Sequence, residues 1–124
     1  MCGIAGFIPG SNSNFNIEER QKIIKEMTDM IVHRGPDGEG MWLSEDGATL
    51  GHRRLSILDL SDAGSQPMWF ADRYLIVFNG EIYNYKKLSQ ELKKDGHKFT
   101  TKTDSEVIIH GYEKWGKDVV KHLN

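Results

Sequence analysis

Cys2, in the segment Met1-Cys2-Gly3-Ile4-Ala5-Gly6-Phe7, stands where removal of one residue changes its chemistry. Without Met1, a thiol and a free α-amine share a single residue. An α-amine titrates near ~7.7–8.0 and a cysteine thiol near ~8.5, so the two can exchange a proton close to neutral pH, if need be through a bridging water. Such a residue is nucleophile and base at once, an arrangement suited to acyl transfer and used by N-terminal threonine enzymes. With Met1 in place the amine is an amide, and the site is a precursor. The plain alternative is that Cys2 is a small buried hydrophobe of no chemical consequence.

Further segments add polar groups of defined use. Leu75-Ile76-Val77-Phe78 runs into Asn79-Gly80, which reads either as a tight hairpin turn or as an oxyanion hole. In the second reading the Asn79 amide and the Gly80 N–H converge on one spot, each worth ~10²–10³ in rate. Arg53 and Arg54 are neighbours on an expected strand and so occupy opposite faces. An inward guanidinium needs a partner, and its planar fork suits a carboxylate of the protein or of a ligand. His33-Arg34-Gly35-Pro36-Asp37-Gly38 has the composition of a turn, yet carries ionisable groups. Asp104 lies where an acid favours a helix start, and it also suits an ammonium group. A thiol, an amine, an oxyanion hole, an arginine and an acid together match a free amino acid carrying a side-chain amide.

These groups need a scaffold, and the hydrophobic pattern outlines one. Cys2 to Ile8 reads as a short buried strand stopped by Pro9-Gly10. Asn16 and Glu19 predict a capping box, followed by a helix with Ile23, Ile24, Met27, Met30 and Ile31 as its apolar stripe. Strands are expected at 40–44, 48–57 and 74–78, with Glu45-Asp46-Gly47 turning between the first two. A helix over 84–94 places Tyr85, Leu88 and Leu92 on one face and stops at Gly96. A strand at 97–100 and a helix opened by a Thr103/Glu106 capping box follow, with Ile108, Tyr112 and Trp115 facing inward, then one or two helical turns over 117–123. The period alternates without regular βαβ units, so the fold class is α+β.

Composition bounds the rest. At 124 residues the chain fits one domain, and a net charge of −2 without blocks of one sign gives no footprint for nucleic acid. No apolar run approaches the ~20 residues that span a bilayer, and no secretion signal opens the chain. A lone cysteine forms no internal disulfide and no thiolate zinc site, which suits a reducing, cytoplasmic setting.

The ordered segments Cys2-Gly3-Ile4-Ala5-Gly6, His33 to Gly38, Arg54-Leu55-Ser56-Ile57, Gln66-Pro67-Met68, Asn79-Gly80-Glu81-Ile82-Tyr83-Asn84 and Thr103-Asp104-Ser105-Glu106 carry a resemblance. The chain resembles the glutaminase domain of glutamine-hydrolysing asparagine synthetases, a branch of the class II glutamine amidotransferases. The resemblance implies an N-terminal nucleophile hydrolase fold, a four-layer α/β/β/α sandwich, here incomplete because later strands of the family's domain lie beyond this sequence. It implies Cys2 as nucleophile and Asn79 and Gly80 as the oxyanion hole. Arg54 would hold the glutamine α-carboxylate, and Asp104 and Glu81, with backbone groups near Leu55 and Ile57, the α-ammonium and chain. Arg34 and Asp37 would support the new amino terminus, and Arg53 has no catalytic part.

The expected partners are L-glutamine and a synthetase domain, in cis or in trans, with a homo-oligomer open. Neither a Ser-Gly-Gly-x-Asp-Ser loop nor a Gly-x-x-x-x-Gly-Lys-Ser/Thr loop is present, so no cofactor is expected here. ATP and Mg are expected only in the synthetase domain. Two other readings stay open: a truncated, non-catalytic module that binds glutamine or a partner, and the amidotransferase half of a synthetase with a different acceptor.

Overall fold

A computed structural model describes residues 1–57 and 60–124. Leu58 and Asp59, which follow the strand expected at 48–57, lie outside the described residues. Helix and sheet are mixed, as an α+β fold requires. β1 (Gly3–Phe7), β2 (Gly38–Leu43) and β3 (Thr49–Arg54) form an antiparallel sheet in the order β1-β3-β2. Its register pairs Gly3 with Arg53 and Gly38 with Arg54. The expected turn joins β2 to β3, closed by the Ser44 N–H on the Ala48 carbonyl at 2.8 Å.

α1 (Ile17–Met30) opens on the capping box: the Glu19 N–H donates to Asn16 Oδ1 and the Asn16 N–H to Glu19 Oε2, each at 2.9 Å. Its inward face differs from the expected stripe. Arg20, Ile24 and Thr28 are buried, whereas Met30 is 79% exposed. The cause is the strand beneath, which meets α1 with polar groups: Arg20 Nη1 donates to Thr49 Oγ1 at 3.3 Å, and Arg53 Nε donates to the Thr28 carbonyl at 3.1 Å. Polar residues of the helix are therefore buried with partners, which removes the cost of desolvating them.

β4 (Met68–Phe70) and β5 (Tyr74–Ile76) form a hairpin, of which β4 had no expectation from sequence and β5 is shorter than expected. Adjacent β4 residues face opposite ways. Trp69 meets Trp42 of β2 edge-on at 5.9 Å, and Phe70 meets His110 at 4.4 Å. The hairpin thus lies between the three-stranded sheet and α3 (Glu106–Trp115), with α1 on the sheet's other face.

α2 (Tyr85–Lys94) packs on α3 around Ile82, Leu88, Leu92 and Val107. Residues 97–100 form no strand, because their backbone serves a side chain instead. The N–H groups of Thr100 and Thr101 donate to the two Glu106 carboxylate oxygens, each at 2.7 Å. Glu106 is therefore not available for a capping box, and Thr103 Oγ1 pairs with Thr101 Oγ1 at 2.8 Å. Burial alone would push the Glu106 carboxyl up, but bonds from His110, Thr101 and these backbone N–H groups outweigh it and hold the pKa down to about 2. On α3, Val107, Ile109 and His110 turn inward while Tyr112 is half exposed; a 3-10 helix (Gly116–Lys121) follows.

Candidate active site

Cys2, Arg54, Leu55, Ile57, Asn79, Gly80, Glu81 and Asp104 line one cleft, with about 590 Å³ of empty space that includes open solvent. Four chain segments bring these residues together. Cys2 precedes β1, Arg54 ends β3, residues 77–80 leave β5 as irregular chain, and Asp104 precedes α3. The hairpin reading of Asn79-Gly80 is overturned: the chain continues through it towards α2 and makes no return strand.

The Leu55 N–H donates to Cys2 Sγ at 3.3 Å, which anchors the sulfur at the end of β3. Arg34 Nε donates to the Cys2 carbonyl at 3.2 Å. Asp37 brackets the same strand end, its N–H on the Arg54 carbonyl at 3.0 Å and its Oδ2 accepting from the Ser56 N–H at 2.8 Å. Arg34 and Asp37 are exposed and stand outside the cleft wall, holding the two backbone segments that flank the thiol. Met1 is present and also lines the cleft, so Cys2 N is an amide in this form.

The two neighbouring arginines separate as strand alternation requires. Arg53 is buried towards α1, with Nη2 on Asp29 and, at 2.8 Å, on Glu39 Oε2. Arg54 reaches into the cleft, where Nη1 donates to the Ser61 carbonyl at 2.6 Å. Across the cleft, Asp104 is buried and its Oδ2 accepts the Ile82 N–H at 2.8 Å, which ties the Gly80–Ile82 segment to the start of α3. The cleft therefore presents a cation, Arg54, and the carboxylates of Asp104 and Glu81. That is the charge pattern of an amino-acid zwitterion in reverse.

The whole chain, residues 1–124, matches the family model described as "Glutamine amidotransferase domain". This chain belongs to the glutamine amidotransferase family. It is 38% identical to Asparagine synthetase [glutamine-hydrolyzing] 3 of Bacillus subtilis (strain 168), over 100% of this chain and 20% of that protein. It is 39% identical to Asparagine synthetase [glutamine-hydrolyzing] 1 of the same organism, over 99% of this chain and 19% of that protein. Similarity extends to Amidase chry2 of Gibberella zeae, at 39% identity over 99% of this chain and 19% of that protein. The chain spans about a fifth of the length of these relatives.

The cleft is also lined by residues that the sequence reading left without a role. His52, Gly64 and Gln66 line it. Gln66 is buried and its Oε1 accepts the Phe78 N–H at 2.5 Å, which fixes the residue before Asn79-Gly80. His52 is 1% exposed, and among the described residues neither ring nitrogen has a hydrogen-bond partner. Burial pushes its pKa down, the Phe78 backbone nearby works the other way, and the Arg54 charge lowers it further. A signal for His52 was present in sequence: it lies two residues before Arg54 on β3 and so shares its face. Gln66 lies in the Gln66-Pro67-Met68 segment that carries the resemblance, which gave it no role, and Gly64 carried no signal, because its contacts come from distant segments.

Among the described residues, no helix is long and apolar enough to cross a membrane.

Proposed function

We propose that this amidotransferase domain hydrolyses L-glutamine to glutamate and ammonia through a thioester on Cys2. The observation that carries the reading is the convergence of Cys2, Arg54, Asp104 and Asn79-Gly80 on one cleft. With Met1 removed, the Cys2 α-amine takes the thiol proton and Sγ attacks the side-chain amide carbon of glutamine. The Asn79 amide and the Gly80 N–H receive the oxyanion. The amine returns its proton to the leaving nitrogen, the C–N bond breaks and ammonia departs. Water, deprotonated by the same amine, then cleaves the thioester and releases glutamate.

Arg54 holds the α-carboxylate, and Asp104 and Glu81 hold the α-ammonium, with the backbone at Leu55 and Ile57 beside the chain. Arg34 and Asp37 support the new amino terminus through the Cys2 carbonyl and the Arg54–Ser56 backbone. The helix–sheet–hairpin–helix succession supports the reading of an N-terminal nucleophile α/β/β/α sandwich. The asparagine synthetase relatives support delivery of the ammonia to a synthetase domain, with ATP and Mg bound there, for conversion of aspartate to asparagine. Amidase chry2 supports a second reading, in which the same glutaminase chemistry serves a different acceptor.

The test is intact mass followed by labelling with 6-diazo-5-oxo-L-norleucine, a glutamine-like electrophile. Loss of Met1 and one adduct on Cys2 are expected. Ammonia release should disappear in Cys2→Ala, and retained release overturns the mechanism.

A further inference from the structure

A second cluster of chemically able side chains lies outside the cleft, on the face of α3 that meets Phe70 of β4 and the segment after α2. Glu106, His110 and Glu113 are spaced by four and three residues and share one helix face. His97, from the segment after α2, meets them. His110 is fully buried, its ring set against Phe70 at 4.4 Å and Phe99 at 4.3 Å.

The orientation of these rings is that of a ligand set. His110 Nε2 lies 3.4 Å from Glu106 Oε1, a carboxylate that accepts the ring N–H. In the neutral ring that tautomer leaves a lone pair on Nδ1, which faces His97 Nδ1, 3.2 Å away. His97 Nδ1 lies in turn 3.4 Å from Glu113 Oε2, and all three ligand atoms fall within 4.8 Å of one another. A proton on His97 Nδ1 can satisfy His110 or Glu113, not both. A cation among them satisfies all three. Zinc bonds of ~2.0–2.2 Å at tetrahedral angles place neighbouring ligand atoms roughly 3.3–3.5 Å apart, close to the two shorter separations found here.

We propose that His97, His110 and Glu113 bind a divalent transition metal of the zinc class. Two imidazoles and one carboxylate favour zinc, nickel or copper over magnesium or calcium. Glu106 is a positioning residue that orients His110 from behind, as carboxylates do for metal-bound histidines. The His97 side chain is 16% exposed and that of Glu113 41%, which gives an ion an entry path and leaves room for water as fourth ligand. The bound metal would pin the segment after α2 to α3. The proposal is independent of glutamine hydrolysis, since none of the three ligands lines the cleft.

The test uses the purified full-length protein, stripped with chelator and titrated with Zn²⁺ by calorimetry, with Mg²⁺ titrated in parallel. Saturable Zn²⁺ binding, a higher Tm with Zn²⁺ and no comparable response to Mg²⁺ are expected. His97→Ala and Glu113→Gln change partly exposed side chains and should keep the fold by circular dichroism, while weakening this binding on the order of 10- to 100-fold or more. Cys2→Ser should leave it in place. Absence of saturable binding overturns the proposal. So does binding that persists unchanged in both ligand variants, or that disappears in Cys2→Ser, because the ion would then sit elsewhere.

Discussion

Gly64 lies against the Arg54 guanidinium so closely that a Cβ there would stand 2.4 Å from Nη2 and 3.0 Å from Cζ. The guanidinium is the far end of a flexible side chain and can yield without disturbing the backbone, while Thr103 Cγ2, 3.0 Å from the same Cβ, must give by a few tenths of an ångström. Gly64→Ala should therefore lower Tm only slightly and displace the group that is proposed to hold the substrate carboxylate. A displacement of this size costs up to ~10²-fold in a positioned site. We expect KM for glutamine to rise by about 10- to 100-fold with a smaller fall in kcat. An unchanged KM would remove Arg54 from carboxylate binding.

Arg53 provides the contrasting case on the same strand. Its Nε satisfies the Thr28 carbonyl, and its Nη2 joins Asp29 and Glu39 beneath α1. Arg53→Met keeps the aliphatic stem and removes every polar contact. The Thr28 carbonyl loses this bond and two half-exposed carboxylates lose a cation, a loss of about 1–3 kcal/mol by chemical denaturation. Glutamine turnover should stay within about threefold of the wild type, since no atom of Arg53 lines the cleft. A large kinetic defect at unchanged stability would contradict this division of labour.

That two adjacent arginines point to opposite faces was legible from strand alternation alone, although which one faces the cleft came only with the resemblance. The capping box of α1 and the Cys2 strand were also legible, because each depends on residues within a few positions. What sequence misplaced depends on distant partners. Thr100 and Thr101 give their N–H groups to Glu106 rather than to a strand, and Arg20 and Thr28 are buried because the strand below α1 offers Thr49 and Arg53. The contacts of the cleft residues Gly64 and Gln66 were missed for the same reason.

His52 makes stability depend on pH. Its folded pKa lies below the unfolded value of about 6.5, chiefly through burial, so below pH 6.5 the unfolded chain binds the proton that the folded chain refuses. The contribution is complete above that pH and is lost as pH falls from it towards the folded pKa, with a slope of at most about 1.4 kcal/mol per pH unit. His52→Asn cannot titrate in this range. Urea midpoints measured between about pH 5 and 8 should fall more steeply for the wild type than for the variant on the acid side, and parallel curves would show that His52 titrates alike in both states.

Gln66 tests whether the proposed oxyanion hole is held from behind. Its side-chain carbonyl accepts the Phe78 N–H, and Phe78 leads into Asn79-Gly80. Gln66→Leu keeps a similar volume and removes the acceptor, leaving the Phe78 N–H without this partner at a cost of about 1–3 kcal/mol. The larger effect should be kinetic. Donors aimed at a developing oxyanion act only when they are fixed before the reaction, and losing one costs ~10²–10³. Loosening both from one side should lower kcat by roughly 10- to 100-fold while KM, which the proposal assigns to Arg54 and Asp104, changes little. A variant that loses stability but keeps kcat would show that residues 78–80 hold their geometry without Gln66, and would confine its role to the fold.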